Sequence, residues 1–411
     1  MTESSEPTDC DPRVWSPLIG DIAAELAPEW VRLRRHLHRH PELSDEEYQT
    51  TEELGKRFGG LGLPVNFVGN RRGLTCDLIS DPDASMPRLA LRGDIDALPI
   101  QDGKAVEYRS CKEGVMHACG HDVHAAVIYG AFSILRSLQH RGQLPWPVAV
   151  RAVLQPAEEL ATGARYMIHH HALRDVAAIL SLHVDPTRSV GGIGLRKGAL
   201  TANCDMFHVV CRGRGGHGAR PHLTNDPIDA ITRWVQSAYR RVDRVVDPAE
   251  TVAISIGKIC AGHSPNVIPE AAELEGTLRT LTTDSRSLVL ETLEDVCEGV
   301  GRETQCQIEL QLKMSAPMIT NDGALVDLLR TATCHALGAE AVEPIELPSM
   351  GSEDFSFYLE HVPGAMFRLG VAGDQVGRVP LHTPLFDVDE RAIADGAKVL
   401  ATAAILHFAP E

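Results

Sequence analysis

Gly114-Val115-Met116-His117-Ala118-Cys119-Gly120-His121-Asp122-Val123-His124 compresses one thiol, three imidazoles and a carboxylate into a loop. It runs directly into an apolar, helix-periodic segment, Ala125–Leu138. Thiolate and imidazole are preferred donors for zinc and for manganese-like or cobalt-like ions. Cys119 and His121 stand two residues apart, so an extended or turn backbone can converge them on one ion, with Gly120 permitting the bend. A buried cysteine beside surface histidines fits the same run, and the loop by itself leaves both readings open.

Composition narrows the classes. A chain of 411 residues has room for two domains of ordinary size. With 44% hydrophobic and 23% charged residues it reads as globular and water-soluble. The formal charge of −17 argues against nucleic acid as a partner, since such binders concentrate Lys and Arg. No apolar run reaches the ~20 residues of a membrane helix. Met1–Pro12 is polar and acidic, without the features of a secretory signal, and reads as a short disordered lead. Ten scattered cysteines without CxxC or a framework spacing point to a reducing, cytoplasmic setting in which a thiolate ligand survives.

Around the loop, strands deliver acids and histidines. Asp21–Gly59 is helical in pattern, with a break in which Arg34-Arg35-His36-Leu37-His38-Arg39-His40-Pro41 offers His-x-His-x-His. Neighbours at spacing two on a helix face different directions and Pro41 ends the helix, which favours a structural role. Strands at Thr75–Ser80 and Arg88–Arg92 follow, the second leading to Asp94 and Asp96 at the carboxyl end of a parallel strand, or else to two turn formers. Val148–Leu154 leads to Gln155-Pro156-Ala157-Glu158-Glu159, whose adjacent carboxylates point to opposite sides if extended, or open the helix Thr162–His170. His169-His170-His171 closes that helix as a surface run. Ala177–Leu182 delivers His183. Metal-competent side chains at one strand end after another are what a random scatter would not give.

From Gly198–Thr201 the organisation changes. Strands Asp205–Gly213, Thr251–Ile259, Ala271–Leu281 and Cys306–Met314, with helices Pro227–Val242 and Asp284–Glu298, form a βαββαβ unit of ferredoxin-like type. The chain then returns to α/β character with helix Gly323–Leu337, strand Ala365–Leu369, Leu381-His382-Thr383-Pro384 and helix Asp389–Phe408. Out of context His382 reads as structural.

Taken together, RRHLHRHPELSDEE, RGDIDALPI, GVMHACGHDVHAA, QPAEE, the HV at His183, GGHGARPH, NVIPE, GTLRT, MGSEDF and LHTPLF run in order from Arg34 to Phe386. In these motifs the chain resembles the metal-dependent carboxypeptidases and amidohydrolases that include carboxypeptidase G, aminoacylase and hippurate hydrolase. The nearest branch is that of the hippurate and indoleacetyl-amino-acid hydrolases.

The resemblance implies an α/β, aminopeptidase-like catalytic domain with a mixed sheet, residues 15–199 and 315–411. An inserted ferredoxin-like α+β domain, residues 200–314, is the implied lid and dimerisation domain. It further implies two divalent transition-metal ions per subunit (Mn, Zn, Co or Ni) held by Cys119, His121, Glu159, His183 and His382. Glu158 is the implied general base, Asp96 the carboxylate that orients and tunes the site, and His217 the residue that stabilises the scissile carbonyl oxygen. Asn266, Arg279 and Gly351 are the implied substrate-binding residues, the first two gripping a substrate carboxylate. Asp94 stands where more distant relatives have a histidine ligand and is left out of the metal set. Where the branch has a Gly-rich run after the Glu pair, this chain has Leu160-Ala161-Thr162-Gly163, which bears on substrate range.

The expected reaction is hydrolysis of an N-acyl amino acid or short peptide by a homodimer joined through the lid, with no membrane partner. An amino- or dipeptidase of the same fold and a catalytically silent, metal-stabilised binding protein are the alternatives. Intact Glu158 and His217 argue against the silent form. For Arg279, an ion pair with Glu273 or Glu275 within its own domain is the competing reading.

Overall fold

A computed structural model describes residues 12–82 and 85–410. Residues 1–11, where the disordered lead is expected, lie outside the described residues. The chain divides into two compact units, one within Met1–Gly198, Thr320–Glu346 and Phe357–Glu411, the other Ala199–Ile319 and Leu347–Ser356.

The first unit is built on an eight-stranded mixed sheet. Its spatial order is Val65–Phe67, Leu74–Ile79, Ala149–Gln155, Arg88–Asp94, Val176–Ser189, Gly364–Ala372, Ile193–Leu195 and Val342–Pro344. The four strands from Ala149–Gln155 to Gly364–Ala372 are parallel, and an antiparallel neighbour borders them on each side. Parallel strands covered on both faces read as continuous apolar runs. Ala149–Gln155 is buried at every position, with Arg151 bridged to Asp77 (2.7 Å).

Helix His121–His140 is apolar almost all round, so it is buried. It packs against Pro12–Arg39 and Arg391–His407. A side chain at Gly130 would put its Cβ 2.8 Å from that of Ala397 and 3.1 Å from the Trp30 ring, so only glycine allows these three helices to approach so closely. The first helix starts earlier than Asp21. Pro12–Arg39 runs through Pro17 and Pro28, because Trp15, Ile19 and Ile22 extend the apolar face of Trp30, Leu33 and Leu37.

The second unit is a four-stranded antiparallel sheet in the order Val252–Ala261, Ala271–Thr280, Asn203–Arg212, Gln307–Ala316. One face is covered by helices Pro227–Val245 and Thr283–Thr304, whose Trp234, Leu293 and Val296 join Phe207, Val209 and Leu274 in a separate core. With two helices on one face of this strand order, the unit is ferredoxin-like. Leu347–Ser356, which carries the MGSEDF motif, belongs to this unit and not to the segments flanking it. The Ser349 N–H donates to Leu200 O (2.9 Å) and the Ala202 N–H to Gly351 O (3.1 Å).

No helix is long and apolar enough to cross a membrane among the described residues, and all nine described cysteines are free thiols.

Candidate metal centre

The centre forms where the strand ends and the start of one helix meet. Helix His121–His140 begins four residues before the apolar period does, at His121 itself. Its cap, Gly120, has φ 88°, and a Cβ there would lie 2.5 Å from Val184 Cγ2, so conformation and space both demand glycine. This bend places Cys119 just ahead of the helix and His121 and His124 in its first turn. Asp94 ends its strand and Asp96 follows it. Glu158 and Glu159 lie on a turn entered through Ala157 at φ 49°, on neither of the two settings that the sequence allows, extended backbone or the start of the helix, which begins at Gly163. His183 falls in the middle of Val176–Ser189, because that strand continues well past Leu182.

Five side chains converge. Cys119 Sγ is 3.5 Å from His183 Nε2 and 3.3 Å from His382 Nε2. His382 Nε2 is 3.4 Å from Glu159 Oε1. Two triads of donor atoms, Cys119–His121–His183 and Cys119–Glu159–His382, each fall within 4.8 Å, with the thiol common to both. His121 Nε2 is 3.8 Å from Glu158 Oε2.

The tautomers are set from behind. His121 Nδ1–H donates to Asp96, at 2.9 Å to Oδ1 and 3.0 Å to the backbone oxygen. His121 Nε2 is thereby left buried without a hydrogen-bond partner. His183 Nδ1–H donates to Val184 O (2.8 Å), which leaves Nε2 its lone pair. Carbonyl and carboxylate partners of this kind hold metal-ligating histidines in register.

Electrostatics point the same way. Burial pushes the Cys119 thiol up to about 12 despite His121, so a thiolate here needs further positive charge. Burial works against charge on His121, but Asp94 and Cys119 outweigh it and hold the imidazolium well above its usual range. A cation can replace that proton.

Sequence reasoning misses the layer behind these residues. His124 Nε2 accepts the Val184 N–H (3.0 Å), so its Nδ1–H donates to Asp94 Oδ1 (2.5 Å), and neither nitrogen is spare for a metal. Arg92 takes the other Asp94 oxygen at 2.8 Å. Beyond His121, buried Asp122 receives Arg34 Nε and His38 Nδ1, each at 2.8 Å. Arg34 also reaches Asp387 and Glu390, and His38 reaches Asp102. Burial raises the Asp122 carboxyl, but Arg34 and His38 hold it far below its usual range. The helical spacing of His121 and His124 is the signal that could have found part of this network.

The remaining expected residues lie in the second unit. His217 is exposed on a two-stranded ribbon, Gly216–His217 against Val267–Ile268, and its Nδ1 accepts the Ala219 N–H (3.0 Å), leaving Nε2–H as donor. The Gly218 N–H donates to Asn266 O (2.8 Å), so Asn266 and His217 are neighbours. Arg279 Nη1 donates to Met350 O (2.6 Å), next to Gly351. Glu273 and Glu275 pair with His208 and Lys258 instead, so the competing ion-pair reading for Arg279 fails.

One thiol, three imidazoles and a carboxylate, with buried His121 Nε2 unpartnered, fit a divalent transition ion, and a shared thiol between two triads fits two. A profile of peptidase family M20/M25/M40 matches residues 90–405. A probable hydrolase of Synechocystis sp. is 39% identical over 93% of this chain and 97% of its own. N-acetyl-L-cysteine deacetylase of Bacillus subtilis is 35% identical over 90% of this chain and 85% of its own. A crystal structure of a dinuclear metal-binding peptidase of B. subtilis superposes with a TM-score of 0.80 at 31% identity, covering 93% of this chain and 99% of that one.

Proposed function

Because the chain belongs to peptidase family M20/M25/M40 and is a metal-dependent amidohydrolase, we propose that it cleaves N-acyl amino acids, or short peptides with a free carboxylate, to a carboxylic acid and an amino acid. The observation that carries the reading is the pair of donor triads sharing Cys119, with Glu158 Oε2 3.8 Å from His121 Nε2.

Cys119, His121, Glu159, His183 and His382 would hold two ions, which when bound polarise a carbonyl and acidify water. Glu158 accepts a proton from the attacking water and returns it to the departing nitrogen, the task of a carboxylate on the edge of such a site. Asp96 keeps the His121 tautomer fixed. We assign His217 Nε2–H, from the second unit of the same chain or of a partner copy, to the oxyanion.

Arg279, with Asn266 and Gly351, is assigned to the substrate carboxylate, because a guanidinium fork matches two carboxylate oxygens. Half-exposed Leu160 follows the glutamate pair, and its bulk would narrow the pocket and so the substrate range. A homodimer joined through the second unit is supported by Val252–Ala261, an exposed strand at the edge of its sheet.

The test is a panel of N-acyl amino acids, their C-terminal amides and dipeptides, each assayed with Mn, Zn, Co and Ni. Free acids should be turned over and amides poorly. Arg279→Ala should cost ~2–5 kcal/mol in kcat/KM on the acids alone. Equal turnover of acid and amide by the wild type would sink carboxylate recognition and favour an aminopeptidase.

A further inference from the structure

Away from this centre, the C-terminal end of helix Pro12–Arg39 carries a second group of soft-metal donors that the reaction does not use. Neighbouring histidines of the His-x-His-x-His run point apart, with His38 buried, but the first and third coincide. The His40 N–H donates to His36 O (3.1 Å), so the final turn closes with both residues exposed. The ring centroids lie 4.8 Å apart. Two histidines four apart on a helix face can share one cation.

Cys111 is brought to the same place by the loop ahead of the centre. Its N–H donates to Arg39 O (2.9 Å), and its Sγ lies 3.3 Å from His40 Nδ1. Donors at ~2.3 Å (sulfur) and ~2.0–2.1 Å (nitrogen) from a tetrahedral zinc are separated by roughly that much. The neighbouring cations are engaged elsewhere: Arg35 with Glu390 (2.6 Å), Lys112 with Glu46 (3.6 Å) and Arg39 with Glu107 O (3.4 Å). The carbonyl end of the helix favours positive charge.

We propose that His36, His40 and Cys111 form a solvent-facing site for one borderline or soft cation of the zinc class, solvent completing its shell. As it stands His36 does not bring a ring nitrogen within 4.8 Å of both other donors, so its exposed side chain must turn for the site to close. A cation there would tie the loop that carries Cys119 to the first helix.

The test is alkylation of Cys111 by iodoacetamide in the full chain with its catalytic ions loaded, at buffered free Zn²⁺, read by peptide mass spectrometry. Zn²⁺ at about ten times its dissociation constant should slow Cys111 alkylation about tenfold. Cys260 and Cys334, the other exposed thiols among the described residues, should stay reactive. His36→Ala and His40→Ala should each abolish the protection, and Cys111→Ser should bind one ion fewer than wild type with hydrolysis unchanged. Equal alkylation with and without Zn²⁺ would overturn the site. Protection surviving both histidine substitutions would also overturn it, since the thiol alone would then be binding an adventitious ion only.

Discussion

His121 and Asp96 are joined twice: the imidazole Nδ1–H lies 2.9 Å from the carboxylate Oδ1 and 3.0 Å from the backbone oxygen of the same residue. Asp96 Oδ2 meanwhile accepts the Glu159 N–H (3.1 Å) and the Ser44 hydroxyl (2.7 Å). One carboxylate therefore positions residues of both donor triads. Asp96→Asn should turn an amide N–H towards a group that already donates, and weaken metal binding about 10–100-fold, the usual cost of losing such a support. Competition with a chelator measures it, and unchanged affinity would remove Asp96 from this role.

The adjacent glutamates should separate. Glu158→Gln should retain its metal yet lose hydrolysis by orders of magnitude, because an amide cannot accept the proton. Glu159→Gln should lose metal occupancy as well. Elemental analysis beside steady-state rates decides the pair, and a Glu158→Gln protein with an empty site would reverse the assignment.

His217→Ala should lower kcat by roughly 10²–10³ with metal content unchanged. If the histidine acts across a dimer, mixing this variant with Glu158→Gln should restore part of the activity through hybrids. No recovery after proven subunit exchange would confine His217 to its own chain or to no catalytic role.

Acid stability gives an independent measurement. His117 is buried with both ring nitrogens unpartnered, and burial lowers it from 6.5 to about 4. The unfolded chain therefore binds the extra proton first. Stability from neutral His117 is present above pH 6.5 and is lost as pH falls towards 4, by up to about 3 kcal/mol. Urea unfolding of His117→Phe at pH 7 and near pH 4.5 should show a smaller acid loss than wild type. Identical losses would mean that another group carries the effect.

How much of this is legible in the sequence depends on range. The apolar period Ala125–Leu138 announces a helix, but its first turn is polar, and only the left-handed Gly120 shows that His121 and His124 belong to it. Glu158 and Glu159 are visible as a pair, whereas their turn depends on Ala157 adopting a conformation that its side chain does not announce. Donors can be read one strand end at a time. That Cys119 touches His382 depends on contacts across most of the chain, for which local periodicity carries no signal. Arg34 and His38 look like surface residues of an amphipathic helix until Asp122, far along the chain, arrives to accept a hydrogen bond from each.

The position of Gly364–Ala372, between Val176–Ser189 and Ile193–Leu195, matters on the ribosome. Val176–Ser189 emerges early, yet one of its two neighbours is not synthesised until everything from Val190 to Pro363 has been added. At ~5–20 residues per second that delay is on the order of ten seconds or more. Throughout it the nascent chain holds an apolar strand with one open edge, a natural target for chaperones or for mispairing. His382 is made later still. The thiol it meets must wait through translation, and the enzyme cannot begin to load both triads until His382 is out.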